Sequence, residues 1–122
     1  MVSSYMALVL CLDDDLVIAQ MTARAVKFLG HQAIIETDSI QAVTRHVHTG
    51  LGAAVVDFNM PHLDGIEVLA AFQQSSPKTR RILLTASPSQ IEVTHAVNEG
   101  IIQKVLSKPV TLNDFELALA WL

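Results

Sequence analysis

Ala53-Ala54-Val55-Val56-Asp57-Phe58-Asn59-Met60-Pro61-His62-Leu63-Asp64-Gly65 is the stretch on which the reading of this chain turns. Its small and β-branched residues, apolar without alternation, describe a strand buried on both faces, and the run stops abruptly at a carboxylate followed by loop residues and a proline. Asp57 therefore stands at the carboxyl end of a strand. In open α/β sheets ligands bind outside those ends, so an acid placed there is a reactive group or a ligand. Capping the helix that begins near Leu63 is the bland alternative. Asp64 or the backbone after Pro61 suits that role better, because Asp57 lies too far upstream to be the N-cap.

Outward from this segment, short apolar runs alternate with helical patterns. Ala7 to Leu12 is a strand ended by Asp13-Asp14-Asp15, and a helix follows with Ile18, Met21, Ala25 and Leu29 as its apolar positions and Gly30 at its close. Gln32 to Glu36 is a second strand. Asp38 or Ser39 caps a helix running to about Thr49, closed by Gly50 and Gly52. After the central strand, a third helix extends from near Leu63 to Gln74 with Ile66, Leu69 and Ala70 inward, and Ser75-Ser76-Pro77 breaks it. Arg81 to Thr85 is the fourth strand. Pro88 and Ser89 lead into a helix with Ile91, Val93, Ala96 and Val97 as apolar positions, stopped by Gly100. Ile101 to Leu106 is the fifth strand, ended by Lys108-Pro109, and Thr111 caps a last helix to Leu122 that carries Phe115, Leu119 and Trp121.

Five strand-helix units in strict alternation specify an α/β protein, a doubly wound five-stranded parallel sheet with five helices. Right-handed crossovers leave few orders, and 2-1-3-4-5 brings the ends of the first and third strands together. The whole of 1–122 reads as one domain. Hydrophobic residues make up 51% of the chain and mean hydropathy is +0.40, as a sheet covered on both faces requires. No apolar run reaches the length of a membrane span, and Met6 to Leu12 is too short and too quickly acidic for a secretory signal, so a cytoplasmic protein without membrane partners is expected. The net charge of −4 and scattered basic residues argue against direct contact with nucleic acid. Lys78, Arg80 and Arg81 read as a solvated strand entrance. Cys11, the single cysteine, reads as a small buried strand residue, and the five histidines show no metal-binding spacing.

The chosen strand order makes Asp13, Asp14 and Asp57 converge, and like charges so placed repel unless a cation offsets them. Oxygen donors without histidine or cysteine suit a hard divalent ion, Mg²⁺ in particular. Asp14, Asp57 and the backbone carbonyl of Asn59 are the expected ligands, with Asp13 holding coordinated water. The fourth and fifth strand ends deliver Thr85, a hydroxyl, and Lys108, a mobile charge, which completes a set suited to phosphoryl transfer. Singly each has an ordinary explanation: Asp13 and Asp14 as helix caps, Thr85 as a strand residue, Lys108 as a surface loop residue. The specificity lies in their all falling at carboxyl ends.

These motifs resemble the receiver domain of two-component response regulators. The likeness runs through Asp13-Asp14, Asp57-Phe58-Asn59-Met60-Pro61 with Asp64-Gly65, Leu84-Thr85-Ala86 and Ser107-Lys108-Pro109. It implies a flavodoxin-like fold with Asp57 as phosphoacceptor, taking its phosphoryl group from the phosphohistidine of a sensor histidine kinase or phosphotransfer protein. Thr85 and Lys108 would bind phosphoryl oxygens, and Asp13, Asp14 and Asp57 would hold Mg²⁺. The implied protein is a signalling switch that promotes its own phosphorylation and dephosphorylation. An output domain outside this chain and a homodimer are further expectations of the resemblance. Two positions depart from the family. Val105 stands where an aromatic side chain commonly reports phosphorylation, which shifts the expected response to Ala86-Ser87-Pro88 and the start of the fourth helix. Leu16 replaces a common proline and touches no chemistry.

Other functions fit less well. An aspartate-dependent phosphatase of the haloacid dehalogenase type needs a general acid two residues after its nucleophile, where this chain has Asn59. A nucleotide or flavin module wants a glycine-rich turn after the first strand, the reverse of Asp13-Asp14-Asp15. A receiver acting only as an unphosphorylated surface has no need of the complete acidic set.

Overall fold

The computed structural model describes residues 6–120. β3 (Ala53–Asp57) is buried along its whole length at the centre of a parallel sheet ordered β2-β1-β3-β4-β5. Its neighbours are β1 (Leu8–Leu12) and β4 (Arg80–Thr85), with β2 (Gln32–Glu36) and β5 (Lys104–Ser107) at the edges. The helices are α1 (Leu16–Phe28), α2 (Ser39–His46), α3 (Gly65–Ser75), α4 (Ile91–Asn98) and α5 (Leu112–Leu119).

Because side chains alternate across a strand, each strand feeds two cores. Leu10, Leu12, Ala54, Val56 and Leu83 pack with Ala42, Val68, Leu69, Phe72, Val93 and Ala96, beneath α2, α3 and α4. Val9, Cys11, Val55, Ile82 and Leu84 pack with Ala23, Val26, Phe115 and Ala118 on the opposite face, beneath α1 and α5. Cys11 is buried there, and desolvation pushes its thiol up to about 12. The expected class and strand order both hold.

Register positions the site. Leu12 pairs with Val56, Asp57 with Leu84, and Thr85 with Ser107. Asp13, Asp57, Thr85 and Lys108 consequently meet at the carboxyl ends of their strands.

Several local expectations are corrected. The buried face of α1 is Ala19, Thr22, Ala23 and Val26, small residues that let the helix approach the sheet, while Ile18 and Met21 are exposed. In α3, Val68 and Phe72 join Leu69 inside, and Ile66 and Ala70 are only half-buried. In α4, Ile91 and Val97 face outward. α2 ends at His46 rather than Thr49, because the Thr49 N–H and hydroxyl both donate to the His46 carbonyl and stop the helix. Ile101 and Ile102 donate to the Ala96 carbonyl, closing α4 instead of opening β5. Trp121 and Leu122 lie outside the described residues.

The largest correction concerns Arg81, which is buried and not part of a solvated entrance. Its guanidinium donates to the carbonyls of Pro77, Thr79, Gly100 and Ile101 at 2.7 to 3.1 Å. Such a fork of donors suits arginine, and it ties the loop before β4 to the loop after α4.

Candidate functional site

The last residue of β3 is the carboxylate around which the site closes. Asp57 is buried, and its Oδ1 accepts from Lys108 Nζ, which reaches across from the end of β5. Asp13 is 4% exposed at the end of β1, and its Oδ1 accepts from the Asp15 N–H at 2.9 Å. Asp15, not Asp13 or Asp14, caps α1 by accepting from Val17 and Ile18. That division of labour leaves Asp14 exposed at the mouth of the site and Asp13 facing inward.

Carboxylate oxygens of Asp13, Asp14 and Asp57 lie within 4.8 Å of one another. Burial raises the Asp13 pKa to about 6; the Asp15 N–H opposes the rise, and the charge of Asp57 adds to it. Asp13 Oδ2 is buried with no hydrogen-bond partner among the described residues. An orphaned acceptor, three converging carboxylates and one lysine form a set of oxygen donors short of positive charge. Those residues fit a hard divalent cation.

Thr85 is buried at the end of β4, its Oγ1 accepting from the Ser87 N–H at 3.0 Å and its carbonyl from the Lys108 N–H at 2.9 Å. Among the residues expected from sequence, Asp13, Asp14 and Asp57 are brought together with Lys108, and Thr85 ends the adjacent strand. Asn59 is exposed in the loop after β3.

That loop is closed at its base, where the Phe58 N–H donates to Leu84 and the Phe58 carbonyl accepts from Gly65. A Cβ on Gly65 would stand 2.5 Å from the Asp57 carbonyl oxygen, so only glycine allows this approach. Asp64 begins α3 with a capping box to Glu67. Ser39, by sequence a possible helix cap, is buried against this loop, and Asp38 does the capping. Nothing in the sequence around Ser39 distinguishes it from a solvated first-turn serine.

A family model described as response regulator receiver domain matches residues 9–120. The chain belongs to this family. The receiver domain is 27% identical over 106 residues to response regulator MprA of Mycobacterium leprae (strain TN), covering 87% of this chain and 46% of that protein. It thus spans about half the length of such curated relatives. Its fold matches chemotaxis protein CheY4 of Vibrio cholerae with a TM-score of 0.84 and 24% identity, covering 96% of this chain and 98% of that one. It also matches the receiver domain of sensor histidine kinase PA1611 from Pseudomonas aeruginosa PAO1, whose structure holds a magnesium ion in its active site cleft; the TM-score is 0.81, the identity 23%, and 96% and 97% of the two chains are covered. The general function of receiver domains is to accept a phosphoryl group in two-component signalling. No described helix is long and apolar enough to cross a membrane.

Proposed function

We propose that Asp57 is the phosphoacceptor of this receiver domain. The observation that carries the reading is a buried carboxylate at the end of the central strand, paired with Lys108 and flanked by the oxygens of Asp13 and Asp14. An oxygen of Asp57 attacks phosphorus and forms an acyl phosphate as the P–N bond of a phosphohistidine breaks. The departing imidazole keeps that electron pair and leaves neutral once its ring carries one proton. Lys108 moves from Asp57 to an equatorial phosphoryl oxygen, and the Thr85 hydroxyl donates to another.

Asp13, Asp14, Asp57 and the Asn59 carbonyl would hold Mg²⁺. When bound, the ion neutralises the acidic cluster and the charge that develops on the transferred group. The unpartnered Asp13 Oδ2 supports this assignment. The chain promotes its own phosphorylation by placing these groups, and its dephosphorylation by leaving the acyl phosphate open to water. Asn59 offers water no general acid or base, which sets the site apart from a phosphatase that turns over small phosphate esters. The donor is a sensor histidine kinase or phosphotransfer protein, and the response passes to an output domain beyond the segment matched here, through a surface that also serves a homodimer.

Incubation with acetyl phosphate or phosphoramidate and Mg²⁺, followed by intact mass, tests the reading. Wild type gains one phosphate, whereas Asp57→Asn gains none and wild type without divalent ion gains little. Incorporation that ignores the metal or survives Asp57→Asn overturns it.

A further inference from the structure

Asp38 already caps α2, accepting from Ile40 and Gln41, so the neighbouring Ser39 hydroxyl is not needed by its own helix. It is nonetheless 2% exposed, and it bonds more than twenty residues away. Ser39 Oγ donates to the Pro61 carbonyl at 2.9 Å and accepts from the Leu63 N–H at 3.1 Å. The residue between those two contacts is His62, with φ of 71°. A side chain with a Cβ is disfavoured in that left-handed region, so the crown of the loop is held in a conformation that His62 alone does not choose. The base of the same loop is fixed by Phe58 and Gly65, while Asn59 lies between base and crown.

We infer that Ser39 is a positioning residue for the cation: its hydroxyl latches the crown of the β3–α3 loop to the start of α2 and thereby keeps the Asn59 segment ready to complete the acidic site. The inference rests on the assignment of that site above. Without the latch, His62 relaxes toward right-handed backbone and the loop spends part of its time in conformations that present a different segment. Apparent affinity for the ion then falls in proportion to the competent fraction, while the site itself is unchanged once filled.

The test titrates Mg²⁺ into the unphosphorylated protein, reading amide resonances of residues 13, 14 and 57, and measures hydrogen exchange of the Leu63 amide without metal. Ser39→Ala raises the Mg²⁺ midpoint roughly three- to ten-fold and speeds Leu63 exchange. Acetyl phosphate labelling of the same variant shows a similar shift in metal dependence, with a rate at saturating Mg²⁺ within about two-fold of wild type. Ser39→Cys, close in size with a weaker donor and acceptor, falls between the two and serves if Ser39→Ala does not fold; Ser39→Thr, which keeps the hydroxyl, restores the wild-type midpoint. A lowered melting temperature with an unchanged midpoint in both Ser39→Ala and Ser39→Cys refutes the latch and leaves the phosphoacceptor reading standing. A shifted midpoint in a chain whose wild type takes no phosphate refutes that reading and leaves the latch. Wild type that binds no Mg²⁺ refutes both.

Discussion

The two ends of the sheet bury charge in opposite ways. At the amino ends, the Arg81 guanidinium is surrounded by four carbonyls, and Thr79 beside it donates to Leu51. At the carboxyl ends, Asp13 keeps an oxygen with no partner among the described residues, beside the carboxylates of Asp14 and Asp57 and the Lys108 ammonium. A buried charge costs several kcal/mol unless its surroundings satisfy it, roughly 3–5 when one partner of a pair is missing. The chain surrounds Arg81 with four acceptors, while one oxygen of Asp13 has no partner among the described residues. On the proposal above, the difference separates a charge kept for architecture from one kept for a cation that arrives from outside.

Replacing each charge should therefore have opposite signs. Arg81→Ala strands four carbonyl acceptors and opens a void, which costs about 3 kcal/mol and shows as a lower urea midpoint with an unchanged slope. Phosphate uptake at Asp57 stays as in wild type when the protein is folded. A loss under about 0.5 kcal/mol breaks the comparison, because the carbonyl cage would then be decoration.

Asp13→Asn goes the other way, by about 1 kcal/mol in metal-free protein at neutral pH. The Asp13 carboxyl titrates at about 6 in the folded protein against an ordinary 3.8, so between those values the folded state binds more protons than the unfolded one. Stability from this group accordingly falls as pH rises through that window, and the penalty is complete above about 6. Denaturant midpoints followed from acid to neutral pH without metal should decline in wild type and decline less in Asp13→Asn. Mg²⁺ raises the wild-type midpoint at neutral pH and raises that of the variant less. A variant less stable than wild type at every pH would mean that Asp13 is satisfied within the chain.

The same contrast explains what was legible in the sequence. Strand ends are marked by an abrupt change from apolar to acidic residues, so Asp13, Asp57 and the strand order follow from local pattern and crossover handedness. Arg81 was misread because arginine at a strand start is ordinarily solvated; its acceptors come from residues 77 to 79 and 100 to 101, whose convergence is a tertiary fact. Ser39 was missed for the same reason, its partners lying 22 and 24 residues away. The face of α1 was misread because size won over hydrophobicity: Ala19 and Ala23 fit against the sheet where Ile18 and Met21 do not. Site residues that act through their place at a strand end can be read in one dimension, whereas those that act through a neighbour in space cannot.

The smallest effect expected is also the one that joins the two ends. α4 begins at the acidic end, where Gln90 provides no side-chain cap, and finishes at the arginine end. There Gln73 donates to the Glu99 carbonyl, and Arg81 holds Gly100 and Ile101. Val105 is half-buried and has no ring to swing, so under the proposed phosphotransfer the response is expected in residues 86–97. In the unphosphorylated protein the Thr85 hydroxyl accepts from the Ser87 N–H. If Thr85 serves the phosphoryl group as proposed above, a turn of its side chain that breaks this bond is expected to release residues 86–90 and loosen the first turn of α4. Amide shifts on phosphorylation should be largest at Ser87, decline from Ile91 to Val97, and vanish by residues 99–102. In Arg81→Ala the decline should flatten, because the far end of the helix is no longer held. Shifts confined to the carboxylates, with 86–97 silent, would show that releasing Ser87 moves nothing; equal shifts at both ends of α4 would show that the arginine end is no anchor.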